Sequence, residues 1–275
     1  MSPSASGIPD PVDEALRKRF EAAEDLRFSC GPSAETIVWW ERNLGRYNLY
    51  PRELGEWLVR GLPFRTTFDV TLIDPGPGHI RIEMEGFDGE GRRVVKAGRS
   101  LEFDLKQVHL NKLEIARAHR NKLYGRLMLR NAYSLALALR FEKLALTAID
   151  YGSYVWAQAG FYPTLKAWQA TGTGRLRDAV LGYIEQLPDA DIDWQRKADI
   201  YEVVQGDDPR AIWAIAGLHG TVGSRLEPGE RIKLGWALLV ESGATWEGEL
   251  PFKVDRIAEK RLLAYLRKLT SAAAS

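Results

Sequence analysis

The sequence predicts an α+β fold: a mixed, mostly antiparallel sheet flanked by helices, with helical additions at the N-terminal and C-terminal ends. Three observations carry this. Residues 67–116 hold β-rich runs separated by Gly, Pro and Asp turns. Leu113–Pro163 reads as strand, basic turn, long helix, strand, short helix, then Gly160-Phe161-Tyr162-Pro163. On either side of these stretches, apolar residues recur at helical spacing. The expected divisions are residues 1–62, a tail and helical segment; 63–165, the sheet-bearing core; and 166–275, a mainly helical extension.

The first helix is expected over Asp10–Leu26, with Leu16, Phe20, Ala23 and Leu26 near one face. A turn at Cys30-Gly31-Pro32 follows, and Ser33 is placed to cap a helix over Ala34–Leu44 that carries Ile37, Trp40 and Leu44 inward. Pro51 opens a third helix over Arg52–Arg60, with Leu54, Trp57 and Leu58 facing the core. Then Thr67–Ile73 turns β-rich, Asp74-Pro75-Gly76-Pro77-Gly78 is a turn, and His79–Glu85 alternates as a half-buried strand does. Asp88-Gly89-Glu90-Gly91 leads to a strand in Arg93–Ala97 or Arg99–Asp104, and His109–Ala116 completes an antiparallel meander.

A helix over Leu123–Arg140 follows, with Leu127, Met128 or Asn131, Leu135 and Leu139 on one side and small residues Ala132, Ala136 and Ala138 for close packing. Leu144–Ile149 is a short buried strand, and strand–helix–strand at this spacing implies a right-handed crossover with parallel pairing. Beyond Pro163, helices are expected at Leu165–Gln169, Gly174–Gln186, Asp193–Val204 and Pro209–Leu218. Glu230–Glu241 fits helix or strand, and residues 238–250 read as a loop packed on the core. A terminal helix over Arg256–Leu269 has Asp255 as N-cap and Ile257, Leu262, Leu263 and Leu266 as its apolar positions.

Composition bounds the function. The chain has 275 residues, 45% hydrophobic and 27% charged, and a formal net charge of +1, which argues against broad nucleic-acid binding. A single cysteine, Cys30, excludes an internal disulfide framework and fits a reducing, cytoplasmic setting. The absence of an 18-residue apolar run argues against a membrane helix, and the start Met1–Gly7 lacks the basic and apolar regions of a leader, so a disordered tail is expected. His79, His109, His119 and His219 have no ligand spacing with each other or with the cysteine, so no metal is expected. Gly172-Thr173-Gly174 lacks a preceding strand and reads as a loop.

Against this neutral background, residues 111–131 carry six basic side chains (Lys112, Arg117, Arg120, Lys122, Arg126, Arg130) and one acid, Glu114. A strand that feeds a basic turn and then a helix N-terminus is suited to an anionic ligand, because the first helical amides lack partners and the helix dipole adds positive charge. The alternative is a solvated loop in which Gly125 serves helix–sheet packing alone.

The turn Arg120-Asn121-Lys122-Leu123-Tyr124-Gly125 and the later Ser153–Phe161 stretch, ending Gly160-Phe161, resemble the GNAT acyltransferase superfamily. That family has Gln/Arg-x-x-Gly-x-Gly/Ala at a strand-to-helix turn. Arg120 and Gly125 match, and Leu123 stands where the first glycine is expected. The resemblance spans about 100 residues. It implies acetyl-CoA or another acyl-CoA as co-substrate, with Ile115 and Ala116 beside pantetheine and Arg117, Arg120, Lys122, Leu123, Tyr124, Gly125 and Arg126 at the phosphates.

Acyl transfer to an amine also needs a base for the amine and a proton for the leaving thiolate. His109 has the best ordinary pKa for the base, with Glu114, Glu83 and Glu85 as alternatives. In the family a tyrosine often supplies the acid; that position is Trp156 here, whose indole cannot. Tyr154 and Tyr151 are the nearby phenols, and Trp156 and Trp168 could line an acyl pocket. The expected activity is therefore transfer of an acyl group, acetyl first, from acyl-CoA to a small-molecule or protein amine. The rival is a catalytically silent module that binds a partner or another ligand through the same cleft. A third reading is RNA or aminoacyl-tRNA binding through the basic turn, which the neutral total charge disfavours.

Overall fold

A computed structural model describes residues 14–29, 33–74, 76, 78–120 and 122–272. The expected N-terminal tail, the Cys30-Gly31-Pro32 turn, Pro75, Pro77 and Asn121 lie outside the described residues. The fold is α+β, with a mostly antiparallel sheet flanked by helices, and the chain forms two compact units that divide after Phe141.

In the first unit, α1 (Glu14–Lys18) and β1 (Leu26–Phe28) precede α2 (Ala34–Asn43), a 3-10 turn at Gly45–Tyr47 and α3 (Pro51–Val59). Leu26 therefore belongs to a strand and not to the first helix; it lies 3% exposed and pairs in parallel with Phe68. Ser33 does cap α2, accepting from the Thr36 amide at 3.1 Å. Ile37, Trp40 and Leu44 are fully buried, and the Trp40 indole donates to Leu49 O at 2.7 Å, so the large ring enters the core with its polar atom satisfied. Trp57 is only half-buried, with the Arg60 guanidinium over its ring. Gly55 lets α3 approach the sheet: a Cβ there would lie 2.7 Å from the Phe68 ring.

The meander follows as β2 (Arg65–Asp74), β3 (His79–Phe87), β4 (Arg93–Glu102) and β5 (Gln107–Ile115), each antiparallel to the last. β4 runs through both places, Arg93–Ala97 or Arg99–Asp104, between which the sequence left the strand open, because Gly98 and Arg99 continue the ladder. A 3-10 turn at Arg117–His119 leads into α4 (Tyr124–Ala138). Buried Asn131 on α4 donates to Leu58 O (3.2 Å) and Arg60 O (2.9 Å), closing carbonyls that the end of α3 leaves open.

The second unit holds β6 (Lys143–Ala148), α5 (Tyr151–Gln158), β7 (Tyr162–Pro163), α6 (Leu165–Gln169), α7 (Leu176–Glu185), α8 (Trp194–Gln205), α9 (Ala211–Ala216), β8 (Thr221–Gly223), β9 (Arg231–Lys233), α10 (Leu234–Trp236), β10 (Trp246–Leu250) and α11 (Arg256–Ala272). Residues 230–241 thus take both structures: β9, then α10 running into a π turn at Ala237–Glu241. Residues 246–250 are a strand and not a loop; β10 pairs antiparallel with β6 and β7, which buries Trp246 and Leu250. Gly160 closes α5 at φ +101° while the Phe161 amide returns to Trp156 O at 3.1 Å. A Cβ at Gly160 would also lie 2.9 Å from Ala258 O. On α11 the buried stripe is Ala258, Leu262 and Leu266, whereas Ile257 (58%) and Leu263 (39%) face outward.

Asp255 caps α11 through the amides of Ile257 (3.0 Å) and Ala258 (3.1 Å) and pairs with Arg210 at 3.0 Å. Burial pushes this carboxyl up, but the Ala258 amide, the Arg210 charge and the Ile257 amide outweigh burial and hold it below the ordinary 3.8. Its stabilisation is therefore complete above the unfolded value and lost as pH falls through the folded one. Asp255→Ala should cost roughly 1–2 kcal/mol at neutral pH. In acid-titrated thermal melts the gap between the two proteins should close only below the ordinary carboxylate pKa.

Candidate functional site

The site begins with the spacing of apolar residues on β5. Val108, Leu110, Leu113 and Ile115 are separated by two, three and two positions. A strand alternates with period two, so the step of three would turn Leu113 and Ile115 outward unless one extra residue were inserted. The structure inserts it: Ser100 faces His109 and Gly98 faces Lys112, so Leu110 and Asn111 together oppose Arg99. Beyond this bulge Leu113 and Ile115 return to the buried side, and Lys112 and Glu114 face the other way.

Leu113 and Ile115 form the seat of α4. A Cβ on Gly125 would meet Leu113 Cδ2 at 3.4 Å and Ile115 Cδ1 at 3.5 Å. The Gly125 side position therefore points at the sheet, and only its backbone is left for a ligand. The N-cap of α4 is Leu123, at φ 62° and ψ 8°, with no side-chain cap. This left-handed conformation is the one a glycine adopts without cost, which gives the departure at position 123 a physical meaning. Arg117, Arg120 and Lys122 are exposed around the turn, and Arg126 is half-buried. Arg120 Nε donates to Ile115 O at 3.3 Å, while Tyr124 stacks on His119 and meets Phe64 edge-on.

Of the two strand amides expected beside pantetheine, that of Ala116 is engaged: it donates to Val94 O at 2.9 Å. Antiparallel pairs alternate between exchanging and not exchanging hydrogen bonds, so the Ile115 and Leu113 amides point away from β4. Leu113, and not Ala116, shares the outward ladder phase of Ile115, a distinction that sequence spacing does not carry.

The face of the sheet bearing Lys112 and Glu114 floors an open groove of about 720 Å³, walled by Ala23–Arg27 and reaching Asp69, Glu83, Glu85, Lys96 and Lys112. Its charges are largely matched: Arg81 with Glu83 at 2.7 Å, Lys96 with Glu85 at 3.2 Å, and Lys112 with Glu114 at 2.8 Å. The hydrogen bond from Lys112 holds the Glu114 carboxyl below the usual range, which makes it a poor proton acceptor. His109 is half-buried opposite Ser100, and Glu114 lies opposite Lys96. Four strand positions separate them, ~14 Å, so the two candidate bases do not share a site.

In the second unit Tyr154 is half-buried on α5, and burial raises its phenol. Tyr151 is exposed against Trp236, and Trp156 packs edge-on against Phe161 at 5.4 Å. Trp168 is fully buried, with its indole donating to Gly206 O. Sequence reading missed Arg99 and Lys96, while Glu83 and Glu85, named as candidate bases, lie in the groove. Arg99 sits 1% exposed on the face of Val95, Ala97 and Leu101, and its place in that alternation was the available signal. Among the described residues no His/Cys/Asp/Glu cluster suits a metal ion, and no helix is long and apolar enough to cross a membrane.

Leu123→Gly should raise thermal stability by about 1 kcal/mol, because it removes the left-handed strain. Gly125→Ala should be tolerated, while Gly125→Asp should destabilise by roughly 1–3 kcal/mol, since it presses a carboxylate on Leu113 and Ile115. Melting curves of the three variants check both statements.

No family model matches the chain, and no curated protein matches it. Among solved structures, a nourseothricin acetyltransferase is similar over 39% of this chain and 77% of its own, at 16% identity and TM-score 0.28. An acetyltransferase from Bacillus cereus ATCC 14579 is similar over 31% of this chain and 60% of its own, at 14% identity and TM-score 0.28. Mutant forms of the spermidine/spermine N-acetyltransferase SpeG from Vibrio cholerae are similar over 31% of this chain and 51% of their own, at 14% identity and TM-score 0.25. Each likeness is partial and covers well under half of this chain.

Proposed function

We propose that this protein is an N-acyltransferase that moves an acyl group, acetyl in the first instance, from acyl-CoA to an amine by direct attack. The observation that carries the reading is the uncapped N-terminus of the fifteen-residue helix α4, ringed by Arg117, Arg120, Lys122 and Arg126, at the end of β5. Such an end offers amide donors and positive potential to a pyrophosphate. The Ile115 and Leu113 amides continue that row of donors along the strand, where a pantetheine arm would extend. An amide donor of this row would also stabilise the oxyanion formed as the amine attacks the thioester.

The amine would enter from the groove over β2–β5, where carboxylates of Asp69, Glu83 and Glu85 face a cation. His109 is the better base of the two on β5, because the Lys112 bond lowers the proton affinity of Glu114. The departing thiolate needs a proton, and a phenol such as Tyr154, raised by burial, still holds one at neutral pH. A binding module without turnover is the second reading, favoured by Trp156 and by the ion-paired state of Glu114.

Calorimetric titration with acetyl-CoA and with free CoA tests the proposal. Micromolar binding is expected, weakening with salt and falling about tenfold or more in Arg117→Glu/Lys122→Glu, whose side chains are exposed and outside the core. Unchanged affinity in the double variant would remove the turn from the site. CoA binding with no thiol release across a panel of amines would favour the module without turnover.

A further inference from the structure

Arg99 is a full positive charge in an apolar layer. Its side chain is 1% exposed, it lies opposite Ile82 on β3, and it shares its face with Val95, Ala97 and Leu101. Its Nη1 donates to Gly98 O at 2.6 Å and to Lys112 O at 2.8 Å, the carbonyls beside the bulge between β4 and β5. Its Nη2 is buried and has no hydrogen-bond partner. Glu83 is the acid whose charge acts on it, and that carboxylate is already held by Arg81 at 2.7 Å. Burial lowers the guanidinium to about 10, which still leaves it charged at neutral pH.

Buried charges are ordinarily paired, because an uncompensated one costs several kcal/mol, about as much as a domain's whole margin of stability allows. Capping the two bulge carbonyls accounts for one nitrogen and for no charge; a neutral amide side chain would do the same. Nη2 is left without a partner, and Glu83, the acid that acts on the charge, is already paired with Arg81. We propose that Arg99 is the receptor for a carboxylate carried by the substrate, bound at the β5 bulge. The inference rests on the acyltransferase reading for its placement. The Lys112 carbonyl that Arg99 holds is one residue along β5 from Leu113, on the β4 side of the strand. A carboxylate there belongs either to the acyl group, as in a dicarboxylic acyl-CoA, or to the acceptor, as in an amino acid. At 1% exposure the guanidinium is covered, so the carboxylate displaces that cover on entering. A bidentate guanidinium–carboxylate pair fits the planar donor edge and supplies the missing counter-charge.

The test compares the wild-type chain with Arg99→Gln, which keeps N–H donors for the two carbonyls without the charge, and with Arg99→Met should the glutamine variant fail to fold. Affinities for acetyl-CoA and succinyl-CoA form the donor arm. Affinities for lysine and cadaverine, in the presence of CoA, form the acceptor arm. The expected result is that one arm shows about tenfold tighter binding of the carboxylate-bearing member in the wild type, and near-equal binding in the variant. The arm that shows it identifies the source. No carboxylate preference in either arm while acetyl-CoA itself binds overturns the inference and leaves the acyltransferase reading intact, as does a preference that survives in the variant. Should no CoA ligand bind, that reading fails separately. Acetate, succinate and glutamate then serve as thermal-shift probes, and the lack of any Arg99-dependent shift overturns this inference as well.

Discussion

One inserted residue on β5 organises the first unit. Without the bulge, period-two alternation would send Lys112 and Glu114 into the apolar layer and expose Leu113 and Ile115. Burying two charges would cost several kcal/mol each, far more than the local loss of a ladder hydrogen bond, so the bulge is the cheaper solution by a wide margin. Its consequences propagate. Leu113 and Ile115 become the surface on which Gly125 sits, which fixes where α4 begins. The same step puts Lys112 on the groove and leaves Gly98 O and Lys112 O to Arg99. Asn131 then ties α4 to the end of α3, so the helix is anchored at its middle as well as at its start.

Leu123 shows how backbone geometry and chemistry separate at this turn. The position demands a left-handed residue whatever occupies it, since the chain must leave the 3-10 turn at Arg117–His119 and enter α4 within a few residues. Glycine would satisfy that demand and let a ligand come close; leucine satisfies it at a cost of roughly 1–2 kcal/mol. The turn retains its shape because Tyr124, stacked on His119 and edge-on to Phe64, holds the first helical residue in place. The left-handed turn thus persists where the residue that ordinarily makes it easy is absent.

Much of the fold was legible because local signals agreed with tertiary demands. Ser33 and Asp255 were readable caps, Pro51 a readable start, and Ile37, Trp40, Leu44 and Leu54 a readable face. Failures fell where a signal was short or contradictory. Leu26 continues the apolar spacing of the first helix, yet β1 takes it because pairing with β2 satisfies its backbone. Trp246–Leu250, rich in glycine and acids, reads as a loop and becomes a strand because β6 and β7 lie on both its sides. Ile257 and Leu263 fit a helical stripe by count but lie off the buried row of Ala258, Leu262 and Leu266. Of the candidate site, the basic turn and its helix were visible as a charge excess. Which amides point away from β4 was not, because ladder phase depends on the partner strand.

Electrostatics orders the candidate bases further. Glu83, Glu85 and Glu114 each touch a cation at 2.7–3.2 Å through one carboxylate oxygen, and the Lys112 hydrogen bond holds Glu114 below the usual carboxylate range. An amine entering the groove would meet these carboxylates as a cation meets a matched lattice. It would bind by replacing one lysine or arginine contact with its own, and the exchange is nearly neutral in Coulomb energy at the surface. The acids are thus suited to holding a cationic acceptor and poorly suited to deprotonating it. Deprotonation requires a group outside the lattice with an affinity for protons near neutrality. On β5 the imidazole of His109 lies on the other side of the bulge, ~14 Å from Glu114. The residue inserted at Leu110–Asn111 therefore separates the half of the strand that carries the Lys112–Glu114 pair from the half that carries His109.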